Sequence, residues 1–384
     1  MASPNTLTNL IPFLYSAADV VSRELVGFIP AVTRDSRIDS VALNQTVNVP
    51  VVGEITPVSI TPAATAPDTG GFAPGNVTVT ISNQFAAPIA WNGDEEVAVS
   101  GTGLLDNVMT QRFAQGMRGI VNKIEADLAA LHAEASRAHG TFNIQPFGTA
   151  GDLSDMAEVI KILEDNGAPQ TDLRAVLSST AIANIRGKQS ALFKVNEAGT
   201  DQLLRRGIIG DIFGVGLGQS SQVKTGVAVG TGASYTTNTA GYAVGATAIT
   251  LITGTGTILA GDIITIAGDT NKYVVKTALT AGVVTLQEPG LKAAIPGSAK
   301  AVTVVGATDR NMVFSRSSMI LATRSPYMPS GGDQADDVTT ITDPVSGLGF
   351  QVASYSQYRQ RHIEISAAWG VKMIAGRHAA LLIG

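Results

Sequence analysis

The sequence of 384 residues contains no cysteine. Without thiols, neither a disulfide framework nor a thiolate metal site can form, which is compatible with a reducing compartment. Charged residues are also scarce: they make up 15% of the chain, against roughly 25% in an ordinary soluble domain. Because a solitary protein needs charge on its surface, this deficit favours either a surface covered by other chains or a neutral β protein rich in Gly and Thr. Composition leaves both open.

Long apolar runs and an excess of basic residues are missing too. No run approaches the ~20 apolar residues that a membrane-spanning helix needs, so we expect no contact with a membrane. The apolar patch at residues 10–15 is interrupted by Pro12 and has no Lys or Arg before it, which argues against a secretory signal. The formal net charge is −5, so the main surface is not expected to grip nucleic-acid phosphates.

Catalytic motifs are absent from the sequence. No Gly-x-Ser-x-Gly elbow occurs, and Gln189 stands where a phosphate-binding loop needs Ser or Thr. The glycines of "GVGLGQ" lack the preceding strand and the acidic residue of a dinucleotide site. His132 and His139 are seven positions apart rather than the four of a zinc-protease helix. We therefore expect no catalytic residue, no metal and no cofactor, and we predict that the chain is not an enzyme.

Hydrophobic periodicity divides the first hundred residues into an arm and a ribbon. Residues 1–45 begin with apolar side chains three or four apart, which predicts an amphipathic helix that packs on its own core or on a neighbour. Residues 46–100 hold two extended runs, 46–62 and 75–93, whose prolines favour an exposed edge. A long two-stranded ribbon is marginal alone in water. Since no strand partner is evident nearby, we expect the ribbon to lie on another copy.

The clearest helical pattern lies in residues 101–150, where apolar residues recur every three or four positions from Leu105 to Leu131. A single helix over residues 103–139 would be ~55 Å long at 1.5 Å per residue, well above the usual length. Such a helix would form a spine across which other elements lie. Two helices broken near Gly116 are the alternative, because glycine lowers helix stability.

The rest of the chain has a mixed α/β pattern that is interrupted once. Residues 151–222 contain a capped helix and a strand followed by a helix, and residues 307–384 indicate strands that end in an apolar tail. Between them, residues 223–306 are rich in Gly, Thr, Ala and Val and have almost no helical period. Short β-branched runs separated by Gly, Asp and Asn predict a small β module there. Its polar, glycine-containing joints are places where insertions are tolerated.

An acidic cluster directly precedes the predicted spine helix. The simpler interpretation is a solvated strand end, and the alternative is a contact with a basic patch on a neighbouring copy. The residues concerned are the acidic Asp94, Glu95 and Glu96, with the arginine pairs Arg205/Arg206 and Arg359/Arg361 as candidate basic partners.

The order of these parts resembles the major capsid (coat) protein of tailed double-stranded-DNA bacteriophages, and more narrowly the podophage coat-protein family with an inserted β domain. The resemblance covers nearly the whole chain; each motif is loose, and their order is specific. The stretches that carry it are "NLIPFLYSAADVVSRELVGFIPAVTRD", "GNVTVTI", "PIAWNGDEEV", "LLRRGIIGDIFGVGLGQSSQV", "GDIITIAG", "DRNMVFSRSSMILATRSP" and "TTITDPVSGLGFQVASYSQYRQRHIEISAAWGVKMI".

The resemblance implies an α+β fold, the tailed-phage and herpesvirus capsid (Johnson) fold. Its parts would be an N-terminal arm, an extended β-hairpin loop, a long spine helix, a split α/β axial domain and an inserted small β-barrel-like domain. The inserted domain would stand on the outer face of the shell, where it helps the subunit fold or holds a neighbour.

The resemblance also implies a function. Hexamers and pentamers of the chain would close an icosahedral shell around double-stranded DNA without sequence-specific binding, assembling in the host bacterial cytoplasm through a precursor with a scaffolding protein and a portal. The chain would then be part of the virion capsid. Some capsids of this kind cross-link Lys to Asn, but no pair is marked here, so we predict no cross-link. The alternatives are another self-assembling phage protein, of a tail tube or a decoration, and more distantly a hydrolase.

Overall fold

The computed structural model describes residues 13–18, 27–51, 75–100, 105–189, 211–329, 333–342 and 348–384. Residues 13–18 are helical, and 3-10 turns span Leu131–Glu134, Arg316–Ser318 and Gly376–His378. The further helices are α1 Phe28–Ala31, α2 Gly93–Ser100, α3 Leu105–Ala130, α4 Ser154–Asp165 and α5 Ser179–Lys188.

The strands fall into two large sheets and a ribbon. In chain order they are β1 Thr33–Val41, β2 Thr46–Val51, β3 Gly75–Thr80, β4 Asn83–Asn92, β5 Arg137–Gly140, β6 Leu173–Leu177, β7 Asp211–Ile212, β8 Val215–Gln219, β9 Tyr235–Thr237, β10 Ala248–Ile252, β11 Ile263–Ile266, β12 Lys272–Thr280, β13 Val283–Leu286, β14 Ala301–Val304, β15 Arg310–Ser315, β16 Met319–Pro326, β17 Ala335–Thr342, β18 Gly349–Gln357, β19 Gln360–Met373 and β20 Ala379–Ile383.

The spine helix is α3, and it is shorter than predicted. It runs through Gly116 without a break, so the alternative of two helices broken there is wrong. Its 26 residues make it about 39 Å long at 1.5 Å per residue. The predicted extension to residue 139 is also wrong, because Arg137–Gly140 form β5, which pairs with β20 and β12. Pairing inside a buried sheet outweighs the local helical period.

The first sheet supports the spine helix. Its order is β1-β16-β19-β18-β17, and β4 pairs with β19 from Asn83↔Trp369 to Asn92↔Gln360. Gly116 lies where α3 crosses this sheet: a Cβ added there would be 3.3 Å from Ala87 Cβ and 3.4 Å from Ile89 Cδ1. A glycine at this position lets the helix approach the strands closely.

The second predicted run of the ribbon, residues 75–93, divides into two strands. Its first half, β3, pairs with β2 from Thr80↔Thr46 to Gly75↔Val51. Its second half, β4, belongs to the first sheet, which corrects the expectation that this run has no strand partner in its own chain. Within the described ranges β4 pairs with β19 alone, so Pro88 stands on an edge strand, where proline is tolerated.

The α/β domain is assembled from two distant stretches of sequence. Its sheet has the order β5-β20-β15-β6-β8-β7, and β15 pairs with both β6 and β20. One face of the sheet packs against α4 and α5 through residues that include Met156, Leu163 and Ile185. The other face joins the core beneath α3 through Met312 and Phe314.

Residues between these two stretches form a closed barrel. The strands follow the order β11-β14-β9-β10-β13-β12, and β12 pairs again with β11, so no edge remains open in this ring. Its interior is apolar, with Ile249, Ile264 and Val284 fully buried. β12 also pairs with β5, at Tyr273↔Arg137 and Lys272↔Ala138. The predicted α+β fold, with its hairpin, spine helix, split domain and inserted barrel, is confirmed.

Candidate assembly surfaces

None of the helices described is both long and apolar enough to cross a bilayer. In the ranges described, no three His, Asp or Glu side chains are grouped so that they could hold a metal ion.

One member of the acidic cluster has a structural role. The side chain of Asn92 accepts a hydrogen bond from the backbone N–H of Glu95 at 2.8 Å, and Glu95 Oε2 accepts one from the backbone N–H of Asn92 at 3.2 Å. This reciprocal pair is a capping box, which satisfies backbone donors at the start of α2. Glu95 therefore stabilises the helix end.

The other two members line a cleft with two of the predicted arginines. Asp94, Glu96, Arg359 and Arg361 surround a cavity of about 620 Å³. They meet because β4 pairs with β19, which places Trp91 opposite Arg361 and Asn92 opposite Gln360. Arg361 Nε is buried and has no hydrogen-bond partner among the residues described. We call this cavity the charged cleft.

The charged cleft brings together acidic and basic residues whose proximity the sequence alone could not indicate. The acidic cluster and one arginine pair lie in the same chain, side by side, because strands far apart in sequence are paired. Arg205 and Arg206 lie outside the described residues. Next to the cleft, the turn between β18 and β19 exposes 91% of Tyr358. The contact of these residues with a neighbouring copy stays a prediction.

A larger groove separates α3 from the edge strand β4. Its volume is about 850 Å³, and its walls include Pro88, Ala90, Val108, Arg112 and Arg118. Arg112 Nη1 donates to the carbonyl oxygen of Ala90 at 3.5 Å, a long hydrogen bond at the margin of the groove. We call this cavity the spine groove.

Asp127 fixes the sheet to the spine helix. Its carboxylate accepts hydrogen bonds from Trp369 Nε1 at 2.9 Å, Asn83 Nδ2 at 3.0 Å and Lys123 Nζ at 2.9 Å. The rings of Trp369 and Phe85 stack with centroids 5.5 Å apart. The edge strand β4 is thereby tied to α3, and these two elements form the walls of the spine groove.

The barrel is attached to the α/β domain by a buried arginine. Arg137 is 2% exposed, and its Nη1 donates to Asn271 Oδ1 in the barrel at 2.8 Å. Its Nη2 donates at the end of α4 to Asn166 Oδ1 at 3.2 Å, and more weakly to Ile162 O and Asp165 Oδ2, both at 3.4 Å. A planar guanidinium can serve several acceptors at once, so one side chain links three elements.

The comparisons with known proteins give structural likenesses. No family model matches the sequence, and no curated protein matches it. The chain is similar to a structure of Mycobacterium phage Che8, with a TM-score of 0.46 and 12% identity over 88% of this chain and 84% of that one.

Two further likenesses extend over most of the chain. One is to the capsid structure of the Cyanophage P-SCSP1u, with a TM-score of 0.43 and 10% identity over 93% and 87% of the two chains. The other is to a virus-like particle from Pyrococcus furiosus, with a TM-score of 0.45 and 6% identity over 98% of this chain and 100% of that one. All three TM-scores lie below 0.5.

Proposed function

We propose that this chain is the major capsid protein of a tailed double-stranded-DNA bacteriophage, a structural protein and not an enzyme. Copies assemble as hexamers and pentamers that close an icosahedral shell. The observation that carries the proposal is the ribbon β2–β3: within the described ranges it pairs with no third strand, so both of its outer edges are left without a strand partner there.

The energetics of the ribbon favour a second chain. Val79 and Ile81 at its base are buried against Ile320, Ala322 and Ala368, whereas the side chains of Thr46, Asn48 and Thr78 are exposed. An isolated two-stranded ribbon is marginal in water. Val47 and Val49 also pack on this cluster, so the apolar side of the ribbon is covered by its own chain, and a second copy would cover its polar side and its unpaired strand edges.

The spine groove is the surface that best fits the ribbon loop of a second copy. Among the described residues that line it, the groove has Arg112 and Arg118 and no acidic residue. The loop sequence between β2 and β3, residues 52–74, contains Glu54 and Asp68 and no Lys or Arg. Opposite charges favour this pairing and set its orientation. Pro88 lacks an N–H, so side chains rather than a continuous added strand would make the contact.

The charged cleft is the second proposed contact. It presents both signs of charge, Asp94 and Glu96 beside Arg359 and Arg361, so a cleft of the same kind on a neighbour is complementary to it. Arg205/Arg206 are the other proposed partner of the acidic residues. Exposed ion pairs add little affinity but select the orientation of partners, which suits a subunit that must meet its neighbours at slightly different angles.

Within the proposal each part of the chain has a role. Residues 1–45 are the arm, 46–100 the reaching loop and 101–150 the spine region. Residues 151–222 and 307–384 form the axial domain around the insertion 223–306.

Other partners follow from the proposed assembly. The shell encloses double-stranded DNA without reading its sequence, in keeping with the net charge of −5. A scaffolding protein guides the precursor shell, and a portal occupies one vertex. Assembly takes place in the host bacterial cytoplasm, and the mature protein is part of the virion capsid.

The proposal is tested by expressing the full chain alone and with a scaffolding protein, followed by size-exclusion chromatography and negative-stain electron microscopy. Closed shells or ring-shaped capsomers support a capsid protein. Uniform tubes would indicate a tail-tube protein instead. A monomer that stays solitary at high concentration with its ribbon folded on its own body would contradict the proposal.

A further inference from the structure

At the foot of the inserted barrel, several buried polar groups lack hydrogen-bond partners. Arg310 is 1% exposed, and its three guanidinium nitrogens, Nε, Nη1 and Nη2, are buried without a partner among the residues described. The same is true of His132 Nδ1 and Thr308 Oγ1. Native proteins rarely leave such groups unsatisfied, because each one costs on the order of 1–3 kcal/mol, and more when it is charged.

These groups belong to segments that meet at one place. The linkers that enter and leave the barrel run side by side: the backbone N–H of Arg310 donates to Lys224 O at 2.8 Å, and that of Val227 donates to Thr308 O at 3.3 Å. His132 lies in the 3-10 turn after α3. It is close enough to Arg310 and Lys224 for their charges to act on its imidazole.

Charges of both signs lie at this junction: the cations of Arg310 and Lys224 and the buried carboxylates of Asp262 and Asp309. Burial, and then the charges of Arg310 and Lys224, lower the pKa of His132 to about 4, so its imidazole is neutral at neutral pH. Burial lowers the pKa of Arg310 to about 10, which leaves the guanidinium charged. Asp262 attracts that charge, yet its Oδ2 accepts hydrogen bonds from Gly230 N at 3.0 Å and Leu259 N at 2.7 Å and none from Arg310.

The chemistry of the unpaired groups defines what would satisfy them. A guanidinium only donates hydrogen bonds, and a threonine hydroxyl and a neutral imidazole can donate as well. We propose that Arg310, with Thr308 and His132, binds one small inorganic anion, a halide such as chloride or a tetrahedral oxyanion such as phosphate, at the junction of barrel, spine helix and axial sheet.

The site would couple the barrel to the rest of the subunit. An anion held by Thr308 on the leaving linker, by Arg310 at the start of β15 and by His132 after α3 would restrain that linker against the helix end. Because it would bind the folded chain and not the unfolded one, it would stabilise the protein by mass action.

The test is thermal unfolding of the full chain in buffer at constant ionic strength. Gluconate, a bulky organic anion, is replaced stepwise by chloride in one series and by phosphate in another. We expect Tm to rise by a few degrees and to saturate with one of these anions, which identifies the class bound. A Tm that does not change, or that drifts without saturation, would overturn the proposal.

Two variants distinguish anion binding at this site from a general effect of salt on stability. Arg310→Met should abolish the saturable response and, in gluconate, should be at least as stable as the natural chain, because a buried unpaired charge is removed. Arg174→Met is the matched control: Arg174 is exposed and paired with Asp172, so the response should persist.

A second variant covers the case in which Arg310→Met does not fold. Thr308→Val keeps the arginine and removes one donor, which should weaken the apparent anion affinity about three- to tenfold. A map of the protein prepared with the anion that gave the saturable response, with bromide in place of chloride if that anion is the halide, should show the ion beside Arg310. A map with water alone at that place would overturn the proposal.

Discussion

Glu125, in the second half of α3, accepts a hydrogen bond at 2.7 Å from the backbone N–H of Ile29, which lies 96 residues earlier. Its carboxylate also accepts from the backbone N–H of Phe28 at 3.0 Å and from Ser220 Oγ at 2.7 Å. One buried side chain thus joins the base of the arm, the spine helix and the axial domain. Gly27 leaves room for it, since a Cβ there would collide with the carboxylate.

Stability should depend on pH through Glu125. Burial, the largest influence, raises its pKa above the ordinary value, although the three hydrogen bonds oppose the shift. A folded-state pKa above the unfolded one means that the native protein binds more protons between the two values. The stability that Glu125 contributes is therefore fully present below its unfolded-state pKa. It is lost as the pH rises through the raised folded-state pKa.

The free energy of unfolding from urea titrations across that pH window measures the effect. Glu125→Gln should remove this part of the pH dependence, whereas Glu125→Ala should also destabilise by about 1–3 kcal/mol because buried donors lose their acceptor. An unchanged pH profile in Glu125→Gln would contradict the assignment.

Two glycines of α3 should respond in opposite ways to substitution. Gly116→Leu should destabilise by about 1–3 kcal/mol, since the added atoms meet Ala87 and Ile89 at the sheet. Gly119→Ala, three residues later, has nothing within 4 Å of its added Cβ and should stabilise by about 0.5–1 kcal/mol through helix propensity. Chemical denaturation measures both, and equal effects would mean that α3 does not cross the sheet at Gly116.

Removal of Arg137 should loosen the barrel. Arg137→Met leaves the side chain of Asn271 and the end of α4 without their donor, and loss of a buried charged partner costs about 3 kcal/mol. We expect faster proteolysis of the linkers near residues 224–230 and 305–309 as well as lower stability. Lys161→Met, at an exposed pair with Glu158, is the control and should leave both measurements unchanged.

Charge removal in the charged cleft should affect assembly more than folding. Asp94→Asn with Glu96→Gln should give a subunit of nearly unchanged Tm that closes fewer shells, because the acidic half of the proposed contact is lost. Glu95→Gln keeps the capping box and is the matched control. A large fall in Tm with normal shells would place the interaction inside one subunit instead.

The ribbon loop should be dispensable for folding but needed for closure. Replacing residues 63–73 by a Gly/Ser segment of equal length should leave a folded subunit, because the ribbon base at Val79 and Ile81 is retained. Shell formation, followed by electron microscopy, should be lost. Unimpaired shells would show that the loop makes no contact between subunits.

The sequence by itself determined the local elements and their order. Apolar spacing predicted α4, β6 and α5, and Ser178 caps α5 with its hydroxyl as a serine at that position should. The β-branched runs predicted the module that contains the barrel. These features depend on residues that are close together in the sequence, so a local sequence pattern is enough to predict them.

Tertiary structure alone decided which distant segments meet. The pairing of β4 with β19 created the charged cleft and moved half of the predicted ribbon into a sheet. The pairing of β5 with β20 ended α3 at Ala130, and the two barrel linkers, which run side by side, bring Arg310 into a buried position. Periodicity shows which face of a segment is apolar, but the partner that covers this face depends on contacts between residues hundreds of positions apart.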